Sequence, residues 1–311
     1  MLNSWFQTDE CLVFYSSFPF LESFRFEVKR EDEVKGSIVG YIQKDGGKLK
    51  QFFSRRAIIN GGPYLAGDIT EAEIEALLEK CKSDLKGKCI YIETRNFEDY
   101  SKYKEVFKNA GFKYEPHFNF RINLTPNIDF ISNFSQNHKR SIKTALRNGA
   151  IINDNPTYED IHEYYSILSS LYEKRVKTPL FPEEFFQKLA SIGKIITISN
   201  SERKVIGGIA MAEQSGETCY EWFVCGDDMN YKCLRPSTVA TYAGIQYAHD
   251  NGYKFFDFMG AGAPNDGGYG VREFKAKFGG DLVEYGRFKC ILNKPLYLIG
   301  VLGVKILKAI K

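Results

Sequence analysis

Two runs near the C-terminus decide the reading of this chain: Phe255-Phe256-Asp257-Phe258-Met259-Gly260-Ala261-Gly262 and, after a glycine-rich turn, Val271-Arg272-Glu273-Phe274-Lys275-Ala276-Lys277-Phe278-Gly279-Gly280. The first reads as a buried strand that ends in an acid and then in bare glycine backbone. The second reads as a short helix that opens with the Phe274-Lys275 pair and stops at Gly279-Gly280. An acid and glycines at the C-terminal edge of a strand sit where α/β proteins bind ligands. Lys275, in a helix bounded by glycines, is expected near the surface. Asp257, flanked by Phe255, Phe256 and Phe258, is expected in the interior, where a carboxylate must be paired or shifted in pKa.

Working outward, 311 residues are more than one modest core needs, so two domains are expected. A hydrophobic fraction of 43% with 15% aromatics excludes a disordered chain. A net charge of +3 gives no global field of the kind a general nucleic-acid binder carries. Cysteines stand at 11, 81, 89, 219, 225, 233 and 290, without a C-x-x-C pair, and there are four histidines, so no metal site is expected. An odd thiol count reads as reduced and cytoplasmic. The first ten residues carry Asp9 and Glu10 and lack the basic start of a signal peptide. No run reaches the roughly eighteen apolar residues of a spanning helix.

Alternating Phe24, Phe26 and Val28, then residues 37–42 before Asp45-Gly46-Gly47, read as strands joined by a turn. Residues 55–64 form another strand, closed by Gly61-Gly62-Pro63. Thr70 with Glu73 three residues on is a capping box that opens a helix to about Leu85. Residues 89–93 are strand, 99–109 helix and 112–124 strand. Then the order repeats. Residues 158–175 are helical, Pro182 opens a helix, and 194–199, 204–214 and 218–225 are strands. Residues 237–251 are helical and 253–259 are strand. Between the halves, residues 133–149 form a helix with Lys139, Lys143 and Arg147 on one face and Arg140 beside them.

Gly252-Tyr253-Lys254, Phe256-Asp257-Phe258 and Phe274-Lys275…Phe278-Gly279 together resemble the closing segment of the FemA/FemB/FemX family of peptidyl and aminoacyl transferases, except that Met259-Gly260-Ala261 stands in place of a double glycine. Weaker likenesses follow in family order: Pro19-Phe20-Leu21, Gly61-Gly62-Pro63, Arg140-x-Ile142-Lys143-x-Ala145…Gly149 and Val205-Ile206-Gly207-Gly208. The resemblance implies an α/β (α+β) fold of two GNAT-like (acyl-CoA N-acyltransferase-like) units with twisted mixed sheets, side by side. The units are expected at 1–132 and 133–290, with a C-terminal helix at 291–311 packing back on the first. It also implies transfer of an aminoacyl or acyl group to an amine of a peptidoglycan or surface-glycan precursor, UDP- or lipid-linked. The donor would be aminoacyl-tRNA, with acyl-CoA ranked second, and no resident cofactor or metal is implied.

Amide formation from an activated ester needs a neutral amine, a proton acceptor and stabilisation of an oxyanion. Lys275 matches the lysine to which the family assigns charge stabilisation, and Phe274 its neighbour, which reads equally as core. Asp257 is either a site acid or a cap for the amides of the Gly260–Gly262 loop. Glu221 lies on the strand from which GNAT enzymes present a base, and Tyr269 precedes the Phe-Lys pair as a proton relay or a packing residue. Phosphates of the precursor point to arginines: Arg175, which resembles a family arginine, Arg56 beside Arg55 and Arg235. The position where acyl-CoA enzymes carry a glycine pyrophosphate loop reads Tyr231-Lys232-Cys233-Leu234-Arg235-Pro236-Ser237 and has no glycine. That ranks CoA second but leaves the helix start and Arg235 open to another phosphate. A non-catalytic precursor-binding module with the same shell is the alternative outside enzymes.

The tail repeats Leu296, Leu298, Ile299, Leu302, Ile306 and Ile310 at helical spacing among Lys294, Lys305, Lys308 and Lys311. Either its apolar stripe docks on the first unit, or it lies on anionic lipid as a peripheral contact on the cytoplasmic face.

Overall fold

In the computed structural model, all residues are described except 45–46, 126–128, 177, 266, 268 and 310–311, together with the side chains of 48–50, 269 and 304–309. The turn at Asp45-Gly46 and the side chain of Tyr269 therefore lie outside the described residues. The strands are β1 (Glu22–Arg30), β2 (Glu33–Gln43), β3 (Arg56–Gly61), β4 (Tyr64–Leu65), β5 (Tyr91–Asn96), β6 (Lys113–Glu115), β7 (Phe118–Asn123), β8 (Ile151–Asn153), β9 (Lys194–Ser199), β10 (Val205–Gln214), β11 (Thr218–Gly226), β12 (Phe255–Asp257), β13 (Asp281–Glu284) and β14 (Arg287–Ile291). The α-helices are α1 (Asp9–Ser16), α2 (Lys48–Ser54), α3 (Glu71–Leu85), α4 (Lys104–Asn109), α5 (Gln136–Arg147), α6 (Tyr158–Leu171), α7 (Glu183–Leu189), α8 (Pro236–Asp250), α9 (Tyr269–Ala276) and α10 (Lys294–Ala309).

The chain forms two compact units, one of residues 1–117 with 284–311 and one of residues 118–283. In the first, strands run β1-β2-β3-β5-β14-β6, with β4 on β2. β3 and β5 are parallel and joined through α3, whose start carries the expected capping box of Thr70 and Glu73. The apolar face of α3 (Ile74, Leu77, Leu78, Cys81) packs with Ile38, Ile42, Ile59 and Ile92. The opposite face of the sheet meets the N-terminal segment, where the Gln7 side chain donates to the carbonyls of Val39 (3.0 Å) and Asn60 (2.8 Å) and accepts from the Val39 N–H.

The second unit orders its strands β13-β7-β12-β11-β10-β9-β8. Again one neighbouring pair, β11 and β12, is parallel, and it is joined through α8. Helices cover both faces of this sheet. A Cβ on Gly208 would meet the Tyr164 ring of α6 at 2.8 Å, while the next residue, Ile209, reaches within 2.6 Å of where a Cβ on Gly244 of α8 would stand. Adjacent strand residues point to opposite faces, so α6 and α8 lie on opposite sides.

Two expected boundaries shift. The run expected as one strand over 112–124 divides into β6, in the first sheet, and β7, which pairs antiparallel with β12. At the other end β14, expected in the second unit, pairs with β5 and β6 of the first. The long central strand expected over 253–259 is only Phe255–Asp257. Finally, Phe274-Lys275 does not open a helix: α9 begins at Tyr269, so the pair sits in its last turn.

Candidate active site

β11 and β12 stay paired only from Thr218–Phe255 to Tyr220–Asp257. The site begins at the next residue of each strand. On β11 that residue is Glu221, whose neighbour Trp222 has no partner on β10, because the register slips between Ala210 and Met211. Such a bulge re-aims side chains locally. On the other side, residues 258–260 turn away, with Met259 and Gly260 at positive φ (56° and 141°). Asp257 holds this turn, its Oδ1 accepting from the Met259 N–H at 2.6 Å. The capping reading of Asp257 is the one this geometry favours, and the residue is wholly buried.

Lys275 enters the gap from α9. Its Nζ donates to the carbonyls of Phe258 and Gly260, each at 2.6 Å, and stands 3.9 Å from Glu221 Oε1. The expected surface lysine is thus a buried one. The correction has a physical reason: three outward carbonyl and carboxylate groups would be left without a cation if the side chain swung into water. Burial pushes the Lys275 ammonium below its ordinary pKa, against the opposing pull of Glu221 and Asp257. Glu221 Oε2 accepts from the Thr241 hydroxyl of α8 at 3.2 Å. Burial pushes the Glu221 carboxyl up to about 7, although Lys275 and Thr241 pull the other way. Burial drives both partners towards neutrality, and it brings the Glu221 carboxyl into the neutral range. The lysine is the more accessible member, its side chain 11% exposed against 2% for Glu221.

Of the remaining candidates, Gly260 belongs to the site through its carbonyl, whereas the Gly262 carbonyl accepts from the Phe118 N–H at 2.8 Å and continues the sheet beside β7. Phe274 is half-buried and packs on Phe278 and His138 (centroids 5.3 and 5.9 Å), which is its core reading. Arg56 lies on β3 of the first unit and donates to the Ser54 carbonyl. Arg175 is exposed, in a π-helical turn over Tyr172–Val176. With Lys174 and residues 226–230 it lines a cavity of about 460 Å³ beside α6.

The start of α8, left open above to another phosphate, is already taken by an anion of the chain itself. Arg235 caps the helix in the left-handed conformation (φ 45°), and Pro236 follows as the first helical residue. The Asp228 carboxylate accepts from the Ser237 N–H (3.4 Å) and from the Ser237 hydroxyl. Gly226 permits the close approach, since a Cβ there would stand 2.2 Å from the Ser237 nitrogen. Neither Asp228 nor Thr241 was legible as a site residue, because each acts across a loop or a helix that only the tertiary fold closes.

Residues 188–302 match the model of the FemAB family. No curated protein matches the chain. Among solved structures it is similar to FemX, with a TM-score of 0.69 and 15% identity over 96% of this chain and 94% of that one. It is similar also to L-PGS from Bacillus licheniformis (TM-score 0.61, 14% identity, 93% and 90% covered). A tandem GNAT protein from the clavulanic acid biosynthesis pathway aligns at TM-score 0.56 and 9% identity, with 88% and 84% covered. The fold is therefore the FemABX-like double GNAT fold that the Phe-Asp-Phe and Phe-Lys motifs implied.

Proposed function

We propose that this FemABX-like chain is an aminoacyltransferase of cell-envelope synthesis, joining an aminoacyl group from a charged tRNA to an amine of a peptidoglycan or surface-glycan precursor. The observation that carries the reading is the Lys275–Glu221 pair at the point where β11 and β12 part. The family match over residues 188–302 spans both members of the pair. In the transfer, the amine attacks the ester carbonyl and the C–N bond forms. The Lys275 ammonium faces the oxygen on which negative charge develops. The C–O bond to the tRNA ribose then breaks, and the proton lost by the amine passes to the departing hydroxyl. Glu221 sits behind the lysine as a positioning residue that sets its charge.

The seat of Asp228 at the start of α8 supports the tRNA donor over acyl-CoA, because a pyrophosphate and a carboxylate compete for the same N–H groups. The decisive experiment incubates purified protein with charged tRNA pools and UDP-linked precursor, followed by mass spectrometry of the precursor. A mass gain equal to one amino acid, dependent on Lys275, is the expected result. A gain seen only with acyl-CoA overturns the donor, and no gain with any precursor favours the binding-module alternative.

A further inference from the structure

We propose that α10 and α2 form an interfacial surface that seats this protein on an anionic lipid membrane. The observation is that α10 docks by a side other than the apolar stripe its sequence offers. It packs on α2 and β5 through half-buried Leu296, Tyr297 and Gly300. The Tyr297 ring stands edge-on to Tyr91 at 5.5 Å, and a Cβ on Gly300 would come within 3.2 Å of the Phe53 carbonyl oxygen. Docking through Leu296, Tyr297 and Gly300 leaves the apolar residues that follow Tyr297 and Gly300 facing outward. Leu298 is 66% exposed, Leu302 59% and Ile299 51%, with Val301 beside them. Phe52 of α2 adds an exposed aromatic ring. The expected docking of the whole apolar stripe is thus corrected for all its described members except Leu296.

Charge names the occupant. From residue 292 to 311 the sequence has no acid and carries Lys294, Lys305, Lys308 and Lys311. From residue 46 to 67 it again has no acid and carries Lys48, Lys50, Arg55 and Arg56. Exposed apolar side chains on two segments whose sequences carry lysines and arginines and no acid fit a bilayer interface of anionic headgroups. A second copy of the same face would instead bring like charges together. At 16 residues α10 is about 24 Å long, short of the roughly 30 Å hydrocarbon core, so it lies in the interface rather than across it. Among the described residues no helix is long and apolar enough to cross a membrane. The surface is independent of the chemistry at Lys275. Its use would be to hold the enzyme near an acceptor that is itself lipid-linked.

The test is co-sedimentation of the full chain with phosphatidylglycerol–phosphatidylcholine vesicles and with phosphatidylcholine alone. Binding to the anionic vesicles at least about tenfold tighter, and reversed by high salt, is the expected result. The double variant Leu298→Ser/Leu302→Ser should lose vesicle binding about tenfold or more with an unchanged melting temperature, since both side chains are exposed. No binding by the full chain at low salt overturns the proposal, as does binding unchanged in the double variant. A concentration-dependent dimer that the double variant abolishes, without vesicle binding, assigns the face to a second copy and overturns it equally.

Discussion

The two units each contain one parallel strand pair bridged by a 15-residue helix, and they use it in opposite ways. In the first unit β3 and β5 stay zipped over six registers, from Arg56–Tyr91 to Gly61–Asn96. In the second, β11 and β12 separate after three. Each sheet also buries a glutamate near this pair. Burial alone would raise Glu93 of β5, but Arg95, Arg287 and Lys289 (3.1, 3.3 and 3.6 Å) outweigh it and hold the carboxyl below its ordinary value. Glu221 has one cation at 3.9 Å, and there burial wins. A buried acid among three cations is fixed as an anion and can only hold structure. An acid facing one cation across a gap in the sheet is left close to its titration point, and that is a chemical resource.

The sharpest break in this comparison is Lys275→Met. Removing the cation that faces Glu221 should lower transfer by about 10²–10³-fold, in the range of a lost oxyanion donor. The fold should lose about 3 kcal/mol as well, because the Phe258 and Gly260 carbonyls lose their donor inside the protein. Rate assays and chemical denaturation check the two effects separately. Normal turnover by a folded variant would remove Lys275 from the chemistry.

Glu221→Gln keeps the shape and deletes the titration. The rate should fall about 10²-fold, and the pH dependence of kcat/KM near 7 should vanish with it. Stability gives an independent readout. The folded carboxyl, at about 7, lies above the unfolded value near 4.3, so the folded state binds more protons in that window. The contribution of Glu221 to wild-type stability therefore falls as pH rises from about 4.3 to 7, and the glutamine variant should remove that part of the slope. A slope that persists in the variant would belong to another group.

Much of this architecture was legible. The helix–strand alternation, the capping box at Thr70 and the three strands between 194 and 226 follow local pattern, and local pattern is what a sequence carries. Lys275, Asp257 and Glu221, drawn from three separated elements, do converge. The errors have a common physical origin. The exchange of β7 and β14 between the sheets depends on long-range pairing, to which a three-residue strand such as β6 contributes no periodic signal. The burial of Lys275 depends on carbonyls exposed by a strand that stops early. The outward leucines of α10 depend on Tyr297 and Gly300 taking the docking side in place of the apolar stripe. None of these is encoded within a window of ten residues.

Glu93→Gln tests the other half of the comparison. Transfer should be unchanged, while the fold loses about 2 kcal/mol as three partly buried cations lose their shared acid. The sign in pH is opposite to that of Glu221. A carboxyl held below its ordinary value stabilises the fold above that value and loses the contribution as pH drops through it. Thermal melts at pH 7 and in acid should show the variant's deficit at pH 7 and its disappearance in acid.

The smallest expected effect concerns the second parallel pair's own helix. Asp228 supplies at the start of α8 the negative charge that the α3 start receives from Glu71 and Glu73. Asp228→Ala should lower stability by about 1 kcal/mol, as for a lost helix cap. It should also vacate the Ser237 N–H, and with it a place for anions at a helix start. Wild-type melting temperature should not move with millimolar acetyl-CoA or pyrophosphate, whereas the variant should regain part of its loss with pyrophosphate. Asp228→Asn, which still accepts from Ser237 without the charge, should fall between the two. If acetyl-CoA stabilises the wild type and Asp228→Ala leaves that shift unchanged, the carboxylate does not occupy the phosphate position, and the donor is to be sought among thioesters.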